Sequence, residues 1–143
     1  MRRTPWRAWL LVLVGSFVVI ACDGPNRGSR TQPSSASGFN IVVTASPNTV
    51  RGRTTGSGSA FGGCATVEAK VFDVNGNLID GATVSLTTTL GIFRVGTDSF
   101  VGVTGTTVRG FIRFTYCSLD ERGTSTITAS VEDAFATTVI TII

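Results

Sequence analysis

The sequence predicts an all-β protein that folds as a single antiparallel β-sandwich of about seven strands. Apolar and polar residues alternate with a period of two in several short runs, which is typical of strands with one buried face. Glycine-containing turn signals separate these runs, and no run shows a helical period. Short strands at such spacing indicate two packed sheets.

The N-terminal segment is typical of export. Arg2 and Arg3 provide a basic start, and an apolar run of 14 residues covers positions 8–21. Because about 20 apolar residues are needed to cross a bilayer, a cleaved signal peptide is favoured over a retained membrane anchor. Residues 19–22 read Val-Ile-Ala-Cys and resemble the lipobox of bacterial lipoproteins. An ordinary secretory signal is the remaining alternative.

The lipobox resemblance implies that residues 1–21 are removed and that Cys22 carries lipid. We therefore expect an extracytoplasmic protein of the bacterial cell envelope that is anchored to the membrane by lipid; the choice of inner or outer membrane stays open. Residues 23–38 contain no large apolar side chain, so burial cannot offset their ordering entropy. We expect 22–38 to form the lipidated cysteine with a flexible tether, and 39–143 to form the domain.

The net charge of +3 comes from the predicted signal peptide. The chain has 12 basic and 9 acidic residues, and Arg2, Arg3 and Arg7 precede the predicted cleavage site, which leaves 12 − 3 = 9 basic against 9 acidic side chains. A domain without excess positive charge gives no support to a nucleic-acid partner. The sequence also contains no histidine, which removes the commonest general base and metal ligand.

Four strands of the domain are predicted from their own alternating runs, and three further segments bring the number to about seven. Turn signals that include Asn75-Gly76, Asp80-Gly81 and Gly105 mark where the runs end. The last run reaches nearly to the end of the sequence. The predicted strands, in order, are 41–46, 65–71, 82–87, 93–95, 112–116, 126–131 and 137–142.

Residues 71–84, Val-Phe-Asp-Val-Asn-Gly-Asn-Leu-Ile-Asp-Gly-Ala-Thr-Val, resemble the signature of bacterial Ig-like domains of the invasin/intimin group. In that signature a strand ends in Asp, an Asn-Gly turn follows, and Gly opens the next strand. Residues 87–93 and 123–131 are also similar to that group. The resemblance covers 39–143 and implies an Ig-like sandwich that serves as a spacer or adhesion module without catalysis. Invasins and intimins carry tandem copies and a terminal lectin-like domain, whereas this chain has one copy.

The three cysteines are explained together. Lipid on Cys22 would leave Cys64 and Cys117 as a disulfide pair, with free thiols as the alternative. Residues that are an even number of positions apart on a strand have the same parity and share a face. Cys64 has the same parity as Glu68, and Cys117 the same parity as Arg113, so both cysteines are expected on polar strand faces. A bridge across the core is therefore disfavoured.

Two antiparallel neighbours in one sheet, with Cys64 opposite Cys117, satisfy both parities. This register places Thr66 opposite Thr115 and Glu68 opposite Arg113 on the polar face. On the buried face it places Val67 opposite Phe114 and Ala69 opposite Ile112. The register thus predicts an ion pair and a core at once.

No set of residues predicts catalysis, a cofactor or a metal. Residues 73–77 superficially resemble a calcium loop, but the sixth position, where an EF-hand requires glycine, is Leu78. A hairpin turn is the better interpretation. The acidic pairs 120–121 and 132–133 lie in predicted loops with no catalytic group nearby, so solvated turns are expected.

We expect a non-enzymatic module for cell-surface protein interaction or adhesion. The alternatives are a structural envelope lipoprotein without a specific ligand and a carbohydrate-binding accessory module. A carbohydrate binder needs exposed aromatic platforms, yet the domain has no Trp, and Tyr116 is expected in the core. The candidate contact residues are therefore Phe61, Phe100 and Phe135. A protein-interaction role predicts an exposed apolar patch among these loops or along the last strand.

Overall fold

The computed structural model describes residues 38–56 and 58–143, which form ten β-strands in two stacked sheets of five strands each. The expected all-β sandwich is confirmed. Cys22, the predicted signal peptide and most of the predicted tether lie outside the described residues. The strands are β1 Asn40–Ser46, β2 Thr49–Val50, β3 Cys64–Phe72, β4 Thr83–Thr88, β5 Ile92–Val95, β6 Asp98–Phe100, β7 Gly102–Thr106, β8 Phe111–Cys117, β9 Gly123–Val131 and β10 Ala134–Ile142.

The first sheet has the strand order β1-β3-β8-β5-β6, and the second has the order β2-β10-β9-β4-β7. All neighbours are antiparallel except β2 and β10, which pair in parallel over two residues. Among the described residues, no helix is long and apolar enough to span a membrane.

Three strands exceed the expected seven, and all three are short. β2 and β6 have two and three residues, too few to show a period of two. β7 contains Gly105, which the sequence pattern indicated as a turn. The structure instead places Gly105 inside β7, where an added Cβ would overlap Ile112 Cδ1 and lie 3.2 Å from Phe114 Cζ. Glycine therefore leaves room there for the side chains of Ile112 and Phe114, which would have to shift to accommodate a larger residue.

The core lies between the sheets and is formed by the inward residues of each alternating run. Val67, Ala69 and Val71 of β3 have no exposed surface. Phe93 packs edge-to-face against Tyr116, with ring centroids 6.1 Å apart. Full burial of each large apolar side chain contributes roughly 1.5–3 kcal/mol, so this interior provides most of the driving force for folding.

The two ends of the sandwich differ in the loops they carry. β1 begins at one end, here called the N-terminal end, together with the 73–82 connection and the turn between β9 and β10. β10 runs from that end to the opposite end, here called the loop end. The loop end carries the long connection between β2 and β3, the disulfide and the connection between β8 and β9.

Candidate binding surfaces

A disulfide joins β3 to β8 at the loop end. Cys64 and Cys117 are bonded, and their Cα atoms lie 4.1 Å apart in directly opposed positions. The predicted pairing is confirmed, including the cross-strand partners Thr66 with Thr115 and Val67 with Phe114. Cys64 is exposed, whereas Cys117 is fully buried, because β8 is central in its sheet and Ile92 of β5 flanks the cysteine on the other side.

The connection between β2 and β3 is a loop whose two ends are held together, here called the clamped loop, residues 51–63. Gly63 N donates to Arg51 O at 2.6 Å, and Gly62 N donates to Ser118 O at 2.9 Å. The fully buried Ser118 donates its hydroxyl to Arg51 O at 2.7 Å, and its backbone N donates to Gly63 O at 3.0 Å. Compact loops closed in this way are frequently functional.

The neck of the clamped loop admits only glycine. A Cβ on Gly62 would overlap the Ser118 hydroxyl and lie 2.5 Å from Arg51 O, and a Cβ on Gly63 would lie 2.9 Å from Arg51 N. Both clashes involve backbone atoms, which cannot move aside cheaply. The sequence indicated only a flexible glycine-rich loop here, because the contact with Ser118 connects distant parts of the chain.

An ion pair holds the neck from the outside. The Arg53 guanidinium donates two hydrogen bonds to the Asp120 carboxylate, with Nη2 and Oδ2 2.6 Å apart. Arg53 N also donates to Leu119 O at 2.9 Å. The hydrogen bonds from Arg53 lower the pKa of Asp120. Asp120 is exposed in the connection between β8 and β9, as predicted, and the structure adds an ion pair with Arg53 that the sequence did not indicate.

The clamped loop lies over the outer face of the first sheet. The Phe61 ring stacks on the Arg94 guanidinium of β5, with 4.8 Å between Arg94 Cζ and the ring centroid. Phe61 is half-buried by this contact. The described residues of the loop tip, Thr54–Gly56 and Gly58–Ala60, are small and exposed.

The three candidate contact residues do not form one patch. Phe61 lies on the clamped loop, Phe100 lies on the edge strand β6, and Phe135 lies on β10 of the other sheet. Phe100 and Phe135 are 46% and 51% exposed. Phe135 instead shares the outward side of β10 with Val139, which is 49% exposed, so the apolar surface on the last strand is formed by that pair.

The outer face of the first sheet carries a charge network. Arg113 Nε donates to Glu68 Oε2, and Lys70 Nζ lies 3.2 Å from Glu68 Oε1. Partial burial acts to raise the pKa of Glu68, but hydrogen bonds from Arg113 and Lys70 outweigh it and lower that pKa. The predicted pairing of Glu68 with Arg113 is confirmed.

The outer face of the second sheet carries hydroxyl groups and no charge. None of its five strands contains an Asp, Glu, Lys or Arg residue. The Ser85 and Thr104 hydroxyls lie 3.1 Å apart and hydrogen-bond across β4 and β7. The outward Ser and Thr residues are Thr49, Thr83, Ser85, Thr87, Thr104, Thr106, Thr124, Thr126, Thr128, Ser130, Thr137 and Thr141.

The Asp73 turn at the N-terminal end is closed by its own hydrogen bonds. Asp73 Oδ1 accepts from Asn75 N and Asn77 N, each at 2.8 Å, and Oδ2 accepts from Asn77 Nδ2 at 2.9 Å. These bonds, first the one from the Asn77 side chain, lower the pKa of Asp73. Within the described residues, no group of three metal-ligating side chains occurs. The turn thus uses its carboxylate to fix its own backbone.

Comparison with known proteins gives a similarity of fold. No family model matches the sequence, and no curated protein matches it. An adhesin of Yersinia pseudotuberculosis, InvE, aligns with 77% of this chain at a TM-score of 0.56 and 20% identity. A β-glycosidase from Bacteroides vulgatus aligns with 71% of this chain at a TM-score of 0.51 and 17% identity. This chain spans only 29% of the adhesin and 14% of the glycosidase.

Proposed function

We propose that this protein is a lipid-anchored, extracytoplasmic Ig-like module that binds a cell-surface protein through the loop end, without catalysis. The observation that carries the proposal is the position of the clamped loop. It lies at the end of the sandwich opposite the end where β1 begins. A chain tethered through residues 22–38 therefore holds the clamped loop away from the membrane.

The construction of the clamped loop supports a binding role. Its neck is fixed by Ser118, Arg53–Asp120 and the adjacent disulfide, while the tip carries small exposed residues. Binding residues are often placed on loops that a rigid scaffold positions, because a fixed neck lowers the entropy cost of binding. The similarity of fold to an adhesin agrees with this role.

The state of the carboxylates supports a role without catalysis. The pKa values of Glu68, Asp73 and Asp120 are all lowered by hydrogen bonds from neighbouring groups. A general acid at neutral pH needs a raised carboxyl pKa, so these three groups are not suited to that one role. Each carboxylate is engaged in holding a turn, a neck or a strand pair.

Binding to isolated envelopes and to host cells tests the loop assignment. The domain fragment starting at Gly38 is compared with a variant in which Thr54, Thr55, Ser59 and Ala60 are replaced by Asp. The matched control places Asp at Val74 and Asn75, in the exposed turn of the N-terminal end. We expect the loop variant to lose at least about tenfold in affinity, and the control to bind as the unchanged fragment does.

Equal binding by the loop variant would show that another surface carries the interaction. Binding to neutral polysaccharide alone would replace the protein partner with a glycan. Hydrolysis of a glycan or peptide by the purified fragment would overturn the claim that the module lacks catalysis.

The anchor has a separate test. Intact-mass measurement of the membrane-extracted protein is expected to show a chain that begins at Cys22 with added acyl groups. Several acyl chains are required for stable anchoring. Cys22→Ser should release the protein from the membrane fraction, and an unmodified Cys22 in the native protein would rule out the lipid anchor.

A further inference from the structure

The last strand, β10, has one edge that is largely unpaired, here called the open edge, and β1 of the facing sheet packs close to β10. β2 pairs with this edge only at Thr141 and Ile142. Thr141 N donates to Asn48 O at 2.8 Å and Ile143 N donates to Val50 O at 3.0 Å, so odd-numbered residues direct their backbone groups away from β9.

The same parity holds along the rest of β10, whose register with β9 is uninterrupted. Phe135, Thr137 and Val139 therefore direct their N–H and C=O groups to the open edge. No strand among the described residues pairs with these three.

The open edge lacks the features that usually protect such an edge. Natural proteins protect exposed edges with lysine, proline or bulges, because unpaired backbone groups are a template for another strand. β10 contains no charged residue and no proline. Its open-edge residues also present exposed apolar side chains, Phe135 and Val139, on the outer face of the sheet.

The other sheet edges are poorer templates. β6 has three residues and contains Asp98, and β7 contains Gly102 and Gly105. β1 presents no exposed large hydrophobic side chain. Among the sheet edges that the structure describes, β10 is therefore the one that combines length, missing charge and exposed apolar side chains.

We propose that the open edge of β10 pairs with β10 of a second copy of this protein, antiparallel and around a twofold axis at Thr137. The free stretch runs from Ala134, where the turn from β9 ends, to Ile140, where β2 takes over. Thr137 lies at its centre. This register places Phe135 opposite Val139 of the second copy, twice.

A second copy fits this edge better than a charged partner. An aromatic residue opposite a β-branched residue contributes roughly 0.2–1 kcal/mol per pair, and the twofold axis provides two such pairs. The strand is neutral, so pairing with itself brings no like charges together. A charged strand would lose hydration against this edge without gaining an opposite charge.

Antiparallel pairing has a consequence that rests on the proposed lipid anchor. β10 runs from the N-terminal end to the loop end, so the two N-terminal ends lie at opposite ends of the pair. The paired copies would then be tethered to facing membranes, and the second copy would be a partner in adhesion.

Substitution of Thr137 by charged residues tests the pairing. Full-length chains with two different tags are produced separately, extracted in detergent and mixed, and capture of one tag by the other is measured. In the proposed register, Thr137→Lys faces itself, as does Thr137→Glu, and like charges directly opposite are destabilising. We expect each variant to lose at least about tenfold in self-capture and a mixture of the two to regain it.

The matched controls are Thr128→Lys and Thr128→Glu. Thr128 is the cross-strand neighbour of Thr137 on the same face, is half-buried like it, and lies on the inner strand β9. These controls should self-capture as the unchanged chain does. An intact Cys64–Cys117 bridge and unchanged circular dichroism show that all variants are folded.

Three results would overturn the pairing: no self-capture by the unchanged chain, full self-capture by a folded Thr137→Lys chain, or failure of the mixed variants to regain capture. The outcome is separable from the loop proposal, because the Thr137 variants leave the clamped loop intact. Binding through the loop end to host cells, which carry no copy of this protein, should be unaffected by them.

Discussion

The two outer faces of this sandwich arise from the same alternating pattern, yet they differ in charge and in what covers them. On the first sheet, Glu68 engages Arg113 and Lys70, and the clamped loop lies over Arg94. On the second sheet, the outward side chains are uncharged and mostly carry hydroxyl groups. On the first face, charged side chains pair with one another and the clamped loop covers part of the surface. The second face is free to contact solvent or a partner.

The difference concerns specificity more than stability. Exposed ion pairs contribute little, typically 0–1 kcal/mol, so the charges on the first face mainly favour one register of β3 against β8. The disulfide next to them is the larger contributor. On the second face, threonine satisfies the strand preference for β-branched residues without specifying any partner.

Removal of the disulfide should have the largest effect. Cys64→Ala with Cys117→Ala is expected to lower the free energy of unfolding by about 2–5 kcal/mol, because the unfolded chain regains the freedom that the bridge removes. Urea unfolding followed by circular dichroism measures this. Thr87→Ala with Thr128→Ala, a cross-strand pair of the second face, should cost less than about 1 kcal/mol. Equal losses would remove the contrast between the faces.

Gly62→Ala at the neck of the clamped loop should come next. The new Cβ meets backbone atoms of Arg51 and Arg53, and an expected loss of roughly 1–3 kcal/mol follows from the forced shift. Gly52→Ala is the control, because its Cβ would make ordinary contacts at 3.4 Å or more. Thermal unfolding of both variants tests this, and equal melting temperatures would show that the neck is not closed.

Acid should weaken the ion pairs of the first face and leave the uncharged second face unchanged. The pKa of Glu68 is lowered on folding, so its ion pairs stabilise the protein above the ordinary carboxyl pKa of 4.5, and this contribution is lost as pH falls through the folded value. The free energy of unfolding should be level near pH 6 and decline below about 4.5. Glu68→Gln should reduce that decline in urea titrations at several pH values. An unchanged decline would assign the acid sensitivity to Asp73 and Asp120.

The smallest effects are expected from single cross-strand pairs of side chains on the two outer faces. A double-mutant cycle with Glu68→Gln and Arg113→Gln should give a coupling energy of about 0.2–1 kcal/mol. The same cycle for the Ser85–Thr104 pair of the second face, with Ala at both positions, should give a value near the lower limit. Coupling above that range on the second face would show that its hydroxyl pairs favour one register as strongly as the charges of the first face do.

Much of the first face could be predicted from the sequence because its constraints are local or periodic. Parity placed both cysteines and both charges outward, and one assumed bond then set every partner between β3 and β8. The clamped loop could not be predicted in this way. Arg53 and Asp120 are 67 residues apart, and nothing in either segment indicates the other.

The alternating pattern and the cysteines thus determined the fold class, seven of the strands and one register. Three features were decided by the tertiary structure alone. They are the closure of the clamped loop, the position of Gly105 inside β7 and the unpaired edge of β10. That edge depends on how few residues of β2 reach β10 before the chain turns into the clamped loop. Periodicity is a local property of the chain, whereas clamping and edge exposure depend on segments that meet only after folding.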